Sequence, residues 1–265
     1  MNATPIGLYS ISVRGLNVPN LLTWAVRTKI PFLHLRGGTR GIDLAAQPTA
    51  MIRRWRKAAE ATVPITGVTA DVDLADLLTG DVSARTRAAR DLVELAESAV
   101  MLGAGWVRLP ARTPLTAPVL AGGADLSVLA YSPIRLLVEP HHPGWLAPDA
   151  FRPLIDLVES CPSVRLLADT AQLAAALPAD TRFPAWLGPV LDHAEVLHLS
   201  DPGTGLDAPG HAVIAAMAAD RIRSGQCLEV AVEWTGPDRS PAECLTRYRA
   251  AIAWWARLTA ALEPQ

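Results

Sequence analysis

Three cysteines in 265 residues, Cys161, Cys227 and Cys244, are too few and too scattered for a disulfide scaffold or a zinc ribbon. They read as free thiols of a reducing compartment. Charge of one sign is also lacking. Lys+Arg number 24 against Asp+Glu 26, a formal net charge of −2 with no basic block, which excludes the electrostatic footprint of a nucleic-acid groove. No apolar run reaches the roughly 18 residues of a membrane span. The opening "MNATPIGLYSISVRG" has no basic start followed by an apolar stretch, so no export signal is read and a cytoplasmic protein is expected. The first predicted turn, "SVRGLNVPN", holds one glycine and no phosphate-cradling fingerprint, which argues against an open doubly wound sheet. With 50% hydrophobic and 19% charged residues, disorder is excluded as well.

What is present is an alternation. Short apolar or β-branched runs at 6–12, 32–36, 65–70, 106–109, 134–139, 164–169, 195–199 and 228–233 read as strands, and helical patterns fill most of the gaps. The clearest helix is "ARTRAARDLVELAESAVMLGA", with Leu92, Leu95 and Val100 on one apolar face. The last, "SPAECLTRYRAAIAWWARLTAAL", opens on a capping box of Ser240 and Glu243. Runs such as "RLLVE" and "VRLLAD" are continuously apolar, as strands covered on both faces are. Eight strands spaced roughly 30 residues apart predict a (β/α)8 TIM barrel of the α/β class. One domain is expected over residues 1–265, with a truncated fourth helix near 124–131 in a Pro- and Gly-containing segment.

Four of these runs stop at a residue able to bind a metal or move a proton: "LLVEPHHPGW" at Glu139, "LLADTAQL" at Asp169, "VLHLSDPG" at His198 and "LEVAVEWTG" at Glu233. In a barrel, the carboxyl ends of strands five to eight are neighbours around one pocket. Three carboxylates and one imidazole are a hard donor set that suits Mn²⁺, Mg²⁺ or Co²⁺, with Zn²⁺ as the alternative. A shared divalent cation would also remove the cost of several carboxylates set among apolar walls.

With these residues in view, the chain resembles the xylose isomerase-like TIM barrels, in particular the sugar phosphate isomerase/epimerase branch. The likeness rests on "LLVEPHH", "ADTAQ", "LHLSDPGTGLDAPGHA" and "VAVEW". It implies that Glu139, Asp169, His198 and Glu233 bind the metal and that Glu139 and Glu233 are the acid/base pair of an isomerase or epimerase acting on a sugar or polyol through an enediolate. Two carboxylates on opposite faces of a chelated hydroxy-ketone can take a proton from one carbon and return one to its neighbour.

Departures from the family pattern bear on substrate. Gln172 stands where the family has a histidine, and "SDPGTG" lacks the arginine of several epimerases. His34, Arg36, His141, Gln172, Asp201 and Trp234 are the candidate substrate-binding residues. His142, His211 and Trp145 lie near the same predicted ends, the two histidines as solvent-facing or helix-starting residues otherwise. Two other readings stand beside the isomerase: a metal-dependent lyase or dehydratase, and a barrel that binds a small ligand without catalysis. An abasic-site endonuclease-like hydrolase needs more strand-end histidines and a basic groove than six histidines and a net charge of −2 provide. The expected partner is a small carbohydrate-like molecule. A mean hydropathy of +0.22 and the paired tryptophans of "AIAWWARL" suggest a homo-oligomer, unless Trp254 and Trp255 pack the last helix onto the barrel.

Overall fold

The computed structural model describes residues 4–113, 127–130, 132–177 and 184–260. Eight strands, β1 (Ile6–Tyr9), β2 (Leu33–Arg36), β3 (Ile65–Thr69), β4 (Trp106–Ala111), β5 (Arg135–Pro140), β6 (Val164–Asp169), β7 (Ala194–Asp201) and β8 (Glu229–Trp234), form a closed barrel in sequence order. Every pair is parallel, and the closing pair sets Ile6 against Val230 and Leu8 against Val232. Each observed strand overlaps its predicted run. β1 is shorter than predicted because Ser10–Ser12 turn into a 3₁₀ segment.

Local signals explain the helices. Asn17 caps Val18–Thr28 by accepting the Asn20 N–H at 3.0 Å, and that helix stops at Lys29, whose φ of 61° is left-handed. Val82–Leu102 is capped by Asp81 and ended by Gly103 at φ 93°. Its inner face is Leu92, Leu95, Ala96, Ala99 and Leu102, while Val100 is exposed, so the apolar stripe lies one position away from the predicted one. Only half of the predicted capping box of Pro241–Ala260 forms. Ser240 Oγ accepts the Glu243 N–H at 3.3 Å, but the Glu243 carboxylate pairs with Arg247 at 2.7 Å instead of reaching back. The fourth helix is the four residues Ser127–Ala130, and the segment 114–126 before it lies outside the described residues. Among the described residues no helix is long and apolar enough to cross a membrane.

Alternation along the strands sorts side chains between the barrel interior and the helical layer. On β8, Glu229, Ala231 and Glu233 point inward, and Val230, Val232 and Trp234 point out. On β7, Val196, His198 and Ser200 point inward. The lower interior holds an apolar cluster of Trp106, Leu137, Leu167 and Val196, with the inward Glu229 beside it. Gly67 makes room for it: a Cβ there would lie 2.0 Å from the Trp106 ring. The upper interior, at the carboxyl ends of the strands, is polar and buried: His34, Thr69, Arg108, Glu139, Asp169, His198 and Ser200 are each less than 9% exposed.

Candidate active site

Glu139, Asp169 and His198 come together at the carboxyl ends of β5, β6 and β7, their ligating atoms all within 4.8 Å of one another. Glu233 of β8 joins them through His198, whose Nδ1 lies 2.9 Å from Glu233 Oε2. Asp169 ends its strand and caps the next helix, with Oδ1 accepting the Gln172 N–H at 2.9 Å. The Arg108 guanidinium and the His141 ring reach the cluster from the side. Arg108 Nε and His141 Nε2 each lie 2.9 Å from Glu139 Oε2. These contacts lack hydrogen-bond alignment, for the three atoms are buried and none finds an aligned partner among the described residues. Arg108 also approaches the Tyr9 hydroxyl at 3.4 Å, and Tyr9 shares a 2.7 Å hydrogen bond with Thr69.

The electrostatics divide the carboxylates. Burial works against charge on Glu139, but Arg108 and then His141 outweigh it and hold the carboxyl at about 2. Asp169 is pushed up to about 7 by burial and by Glu233 and Glu139. Burial and Glu139 likewise push Glu233 to about 7, against the pull of Arg108. Three carboxylates with one guanidinium leave two negative charges uncompensated if all are ionised, and protons on Asp169 and Glu233 are the metal-free answer to that excess.

A chain of hydrogen bonds runs through the barrel beneath this cluster. Glu229 Oε1 meets His34 Nε2 at 2.7 Å and also accepts from Thr66 at 2.9 Å and Trp106 at 3.3 Å. His34 Nδ1 meets His198 Nε2 at 2.9 Å. Burial lowers the pKa of both histidines, His34 to about 4, so both are neutral at pH 7. Burial raises the Glu229 carboxyl, but hydrogen bonding to His34 outweighs it and keeps the group ionised. The tautomers then follow. Glu229 can only accept, so His34 carries its proton on Nε2 and accepts at Nδ1; His198 must donate from Nε2, which leaves a lone pair on Nδ1. That lone pair faces Glu233 Oε2 at 2.9 Å. Two acceptors at this distance need a proton or a cation between them. The donor set, the excess of two negative charges, the unaligned Glu139 Oε2 and this acceptor–acceptor contact all fit a divalent cation.

The remaining predicted residues part company. His141 touches Glu139, whereas His142 is exposed and accepts the Gly144 N–H at 2.9 Å. Gln172 is half-buried just after Asp169. Arg36, at the end of β2, lies near enough to Glu233 to lower its pKa. Three residues sit away from the rim position predicted for them. His34 is fully buried inside the barrel, bound to Glu229 and His198, because it lies two residues before the end of its strand. Trp234 points outward by the alternation that turns Glu233 inward; its Nε1 donates to the Asp238 carbonyl at 2.7 Å, and Arg247 lies over its ring. Asp201 organises its own loop by accepting the N–H groups of Gly203 and Gly205. His211 is buried at the start of the helix His211–Arg223, and Trp145 is fully buried with its N–H on the Thr113 carbonyl. Trp254 and Trp255 are buried against the barrel, so they give no support to an oligomer. The sequence reading passed over Arg108, Tyr9 and Glu229. "WVRLPA" and "EVAVE" carried the signal: a charge at inward parity on a buried strand.

No protein-family model matches the chain, and no curated protein matches it. Solved structures match over nearly the full length, and they are xylose isomerase-like TIM barrels. The 3-keto-D-glucoside 4-epimerase YcjR from E. coli is 15% identical, with 96% of this chain and 99% of that one covered at a TM-score of 0.67. A xylose isomerase-like TIM barrel protein from Mycobacterium smegmatis, in complex with magnesium, is 17% identical over 98% of each chain at 0.66. D-psicose 3-epimerase from Clostridium cellulolyticum H10, with D-tagatose, is 11% identical over 97% and 99% at 0.70. At these identities the likeness is one of fold.

Proposed function

We propose that the chain is a divalent-metal-dependent isomerase or epimerase acting on a carbohydrate-like hydroxy-carbonyl compound by proton transfer. The observation that carries the reading is the charge imbalance at the barrel mouth, where Glu139 and Asp169 cluster with His198, Glu233 adjoins them across His198, and Arg108 pairs with Glu139 alone. The sugar epimerases among the fold neighbours support it. Glu139, Asp169, His198 and Glu233 would hold the cation, Mn²⁺, Mg²⁺ or Co²⁺ before Zn²⁺, which when bound would stabilise negative charge developing on the substrate oxygens.

The two glutamates are not equivalent partners. Glu233 is pushed up to about 7 in the metal-free protein, and a bound cation would leave it ionised and able to take a proton from the substrate. Glu139, at about 2, is kept ionised by Arg108 and serves first as a ligand. His141 lies against the same Glu139 oxygen, and its pKa is raised because Glu139 outweighs burial. A proton returned on the Glu139 side would therefore pass through this Glu139–His141 pair. Arg108, through Tyr9 and Thr69, holds that side of the mouth in place.

The test is turnover in D₂O with a panel of ketoses and their phosphates. Deuterium should enter at the carbon next to the carbonyl with the wild type and not with Glu233→Gln. Exchange that survives this substitution would remove Glu233 from proton transfer. No exchange with any substrate in the panel by metal-loaded protein would overturn the isomerase reading in favour of a binding barrel.

A further inference from the structure

Beside the mouth, on the β1–β2–β8 side, lies a cavity of about 360 Å³. That is within the ~300–1,000 Å³ span of small-ligand pockets. Its wall includes Arg14, Arg36, Arg40 and Arg239 and no acidic residue. Arg40 is engaged by Asp71 at 2.7 Å. Arg14, Arg36 and Arg239 form no ion pair among the described residues. A chain of net charge −2 thus sets Arg14 and Arg239, which pair with no carboxylate among the described residues, beside Arg36, whose charge also reaches Asp71 and Glu233, in one concave place.

The fold holds them there. The Arg36 N–H donates to Ser10 Oγ at 2.8 Å, and the loop after β2 folds back so that the Ile42 N–H reaches the Arg36 carbonyl at 3.0 Å. Gly41 permits that return, since a Cβ there would lie 2.0 Å from the Arg36 oxygen. Arg239 donates to the Ile11 carbonyl at 3.1 Å, and its own carbonyl accepts the Arg14 N–H at 2.7 Å. Among the described residues, Arg239 Nε is buried without a hydrogen-bond partner. Arginines held on one wall by their backbones, with a buried Arg239 donor left over, suit an anion. Arg36 belongs to both places, because it lines this cavity and lies near Glu233.

We propose that this cavity binds the phosphate monoester of a phosphorylated sugar while the sugar's carbonyl end lies at the Glu139–Glu233 mouth; the sugar rests on the function proposed above, and the anion does not. A phosphate monoester carries close to two negative charges at pH 7 and three acceptor oxygens, which suits planar guanidinium donors better than a neutral polyol would.

The test titrates inorganic phosphate calorimetrically into the full chain with a chelator present, so that no metal can capture the anion. One phosphate per chain should bind. Arg14→Gln and Arg239→Gln should each weaken binding at least ~10-fold, as expected for loss of a charged hydrogen bond. Arg14→Lys should recover part of the loss, and matched melting temperatures would exclude unfolding. Absence of phosphate binding to the wild type, equal affinity in all the arginine variants of a folded chain, or tighter binding of gluconate than of phosphate would each overturn the proposal. Arginine-dependent phosphate binding without turnover of any sugar would sustain the anion site and overturn the isomerase reading. Turnover of neutral ketoses with no phosphate binding would do the reverse.

Discussion

Raising the pH from 6 to 8 should tighten divalent-metal binding by roughly two orders of magnitude. In the metal-free protein Asp169 and Glu233 both titrate at about 7, because burial and neighbouring carboxylates disfavour their charge. Ligation requires them ionised. Treated as two separate groups, each is roughly 10% ionised at pH 6, half at pH 7 and roughly 90% at pH 8. The fraction with both ionised then rises about 100-fold, close to 3 kcal/mol of apparent affinity. Glu139, held at about 2, contributes nothing in this window; burial disfavours a proton on His198, while Glu139 favours one on His141, whose release adds to that of the carboxyls. Calorimetry with Mn²⁺ in two buffers of different ionisation enthalpy counts the protons: the two carboxyls should release nearly two at pH 6, about one at pH 7 and almost none at pH 8, and a His141→Gln variant removes the histidine's share from the count. The stability trends follow with opposite signs. A carboxyl whose folded pKa is raised contributes stability below its unfolded value, near 4, and loses it as the pH rises through 7, so metal-free protein weakens over that span while the metal increment grows. A Kd flat from pH 6 to 8, with no proton released, would refute the placement of these two carboxylates around one cation.

Further outcomes can be measured alongside. Glu233→Gln should lower kcat by about 10²–10⁴, with metal content assayed in the same samples, and Gln172→His should leave the chain folded and active on the same substrate. Glu229→Gln can donate to His34 and so reverse the tautomers, placing a proton on His198 Nδ1; metal affinity should fall ~10–100-fold by calorimetry, and an unchanged Kd would sink the relay argument. Arg108→Met strands the buried Glu139 and should cost roughly 3–5 kcal/mol in urea unfolding of metal-free protein, with part of it restored by Mn²⁺. Trp254→Ala removes a buried indole and its bond to Asp207, and a loss of about 3–5 kcal/mol is expected from denaturant midpoints.

The succession of strands and helices and the residues that end the strands were legible in the linear chain, because those are local matters. A buried parallel strand must be continuously apolar, a cap must sit at a helix start, and the residue closing β5, β6 or β8 is read directly from where the run stops. The two-residue alternation was legible too. It would have turned Trp234 away from the mouth once Glu233 was placed in it, would have turned Asp201 away once His198 was, and would have flagged Arg108 and Glu229 as charges inside the barrel. The tertiary structure decided everything that crosses the barrel. Glu229 meets His34 over a separation of 195 residues, and His34 meets His198 over 164. Closure and stagger of the strands set which inward side chains share a level, and no local pattern encodes that level. For the same reason, only the assembled barrel shows that Arg108 spends its charge on Glu139, leaving protons or a cation to neutralise Asp169 and Glu233. Likewise Arg14, Arg36 and Arg239, drawn from two loops and the end of β2, line one cavity only after β1 and β8 have closed the ring.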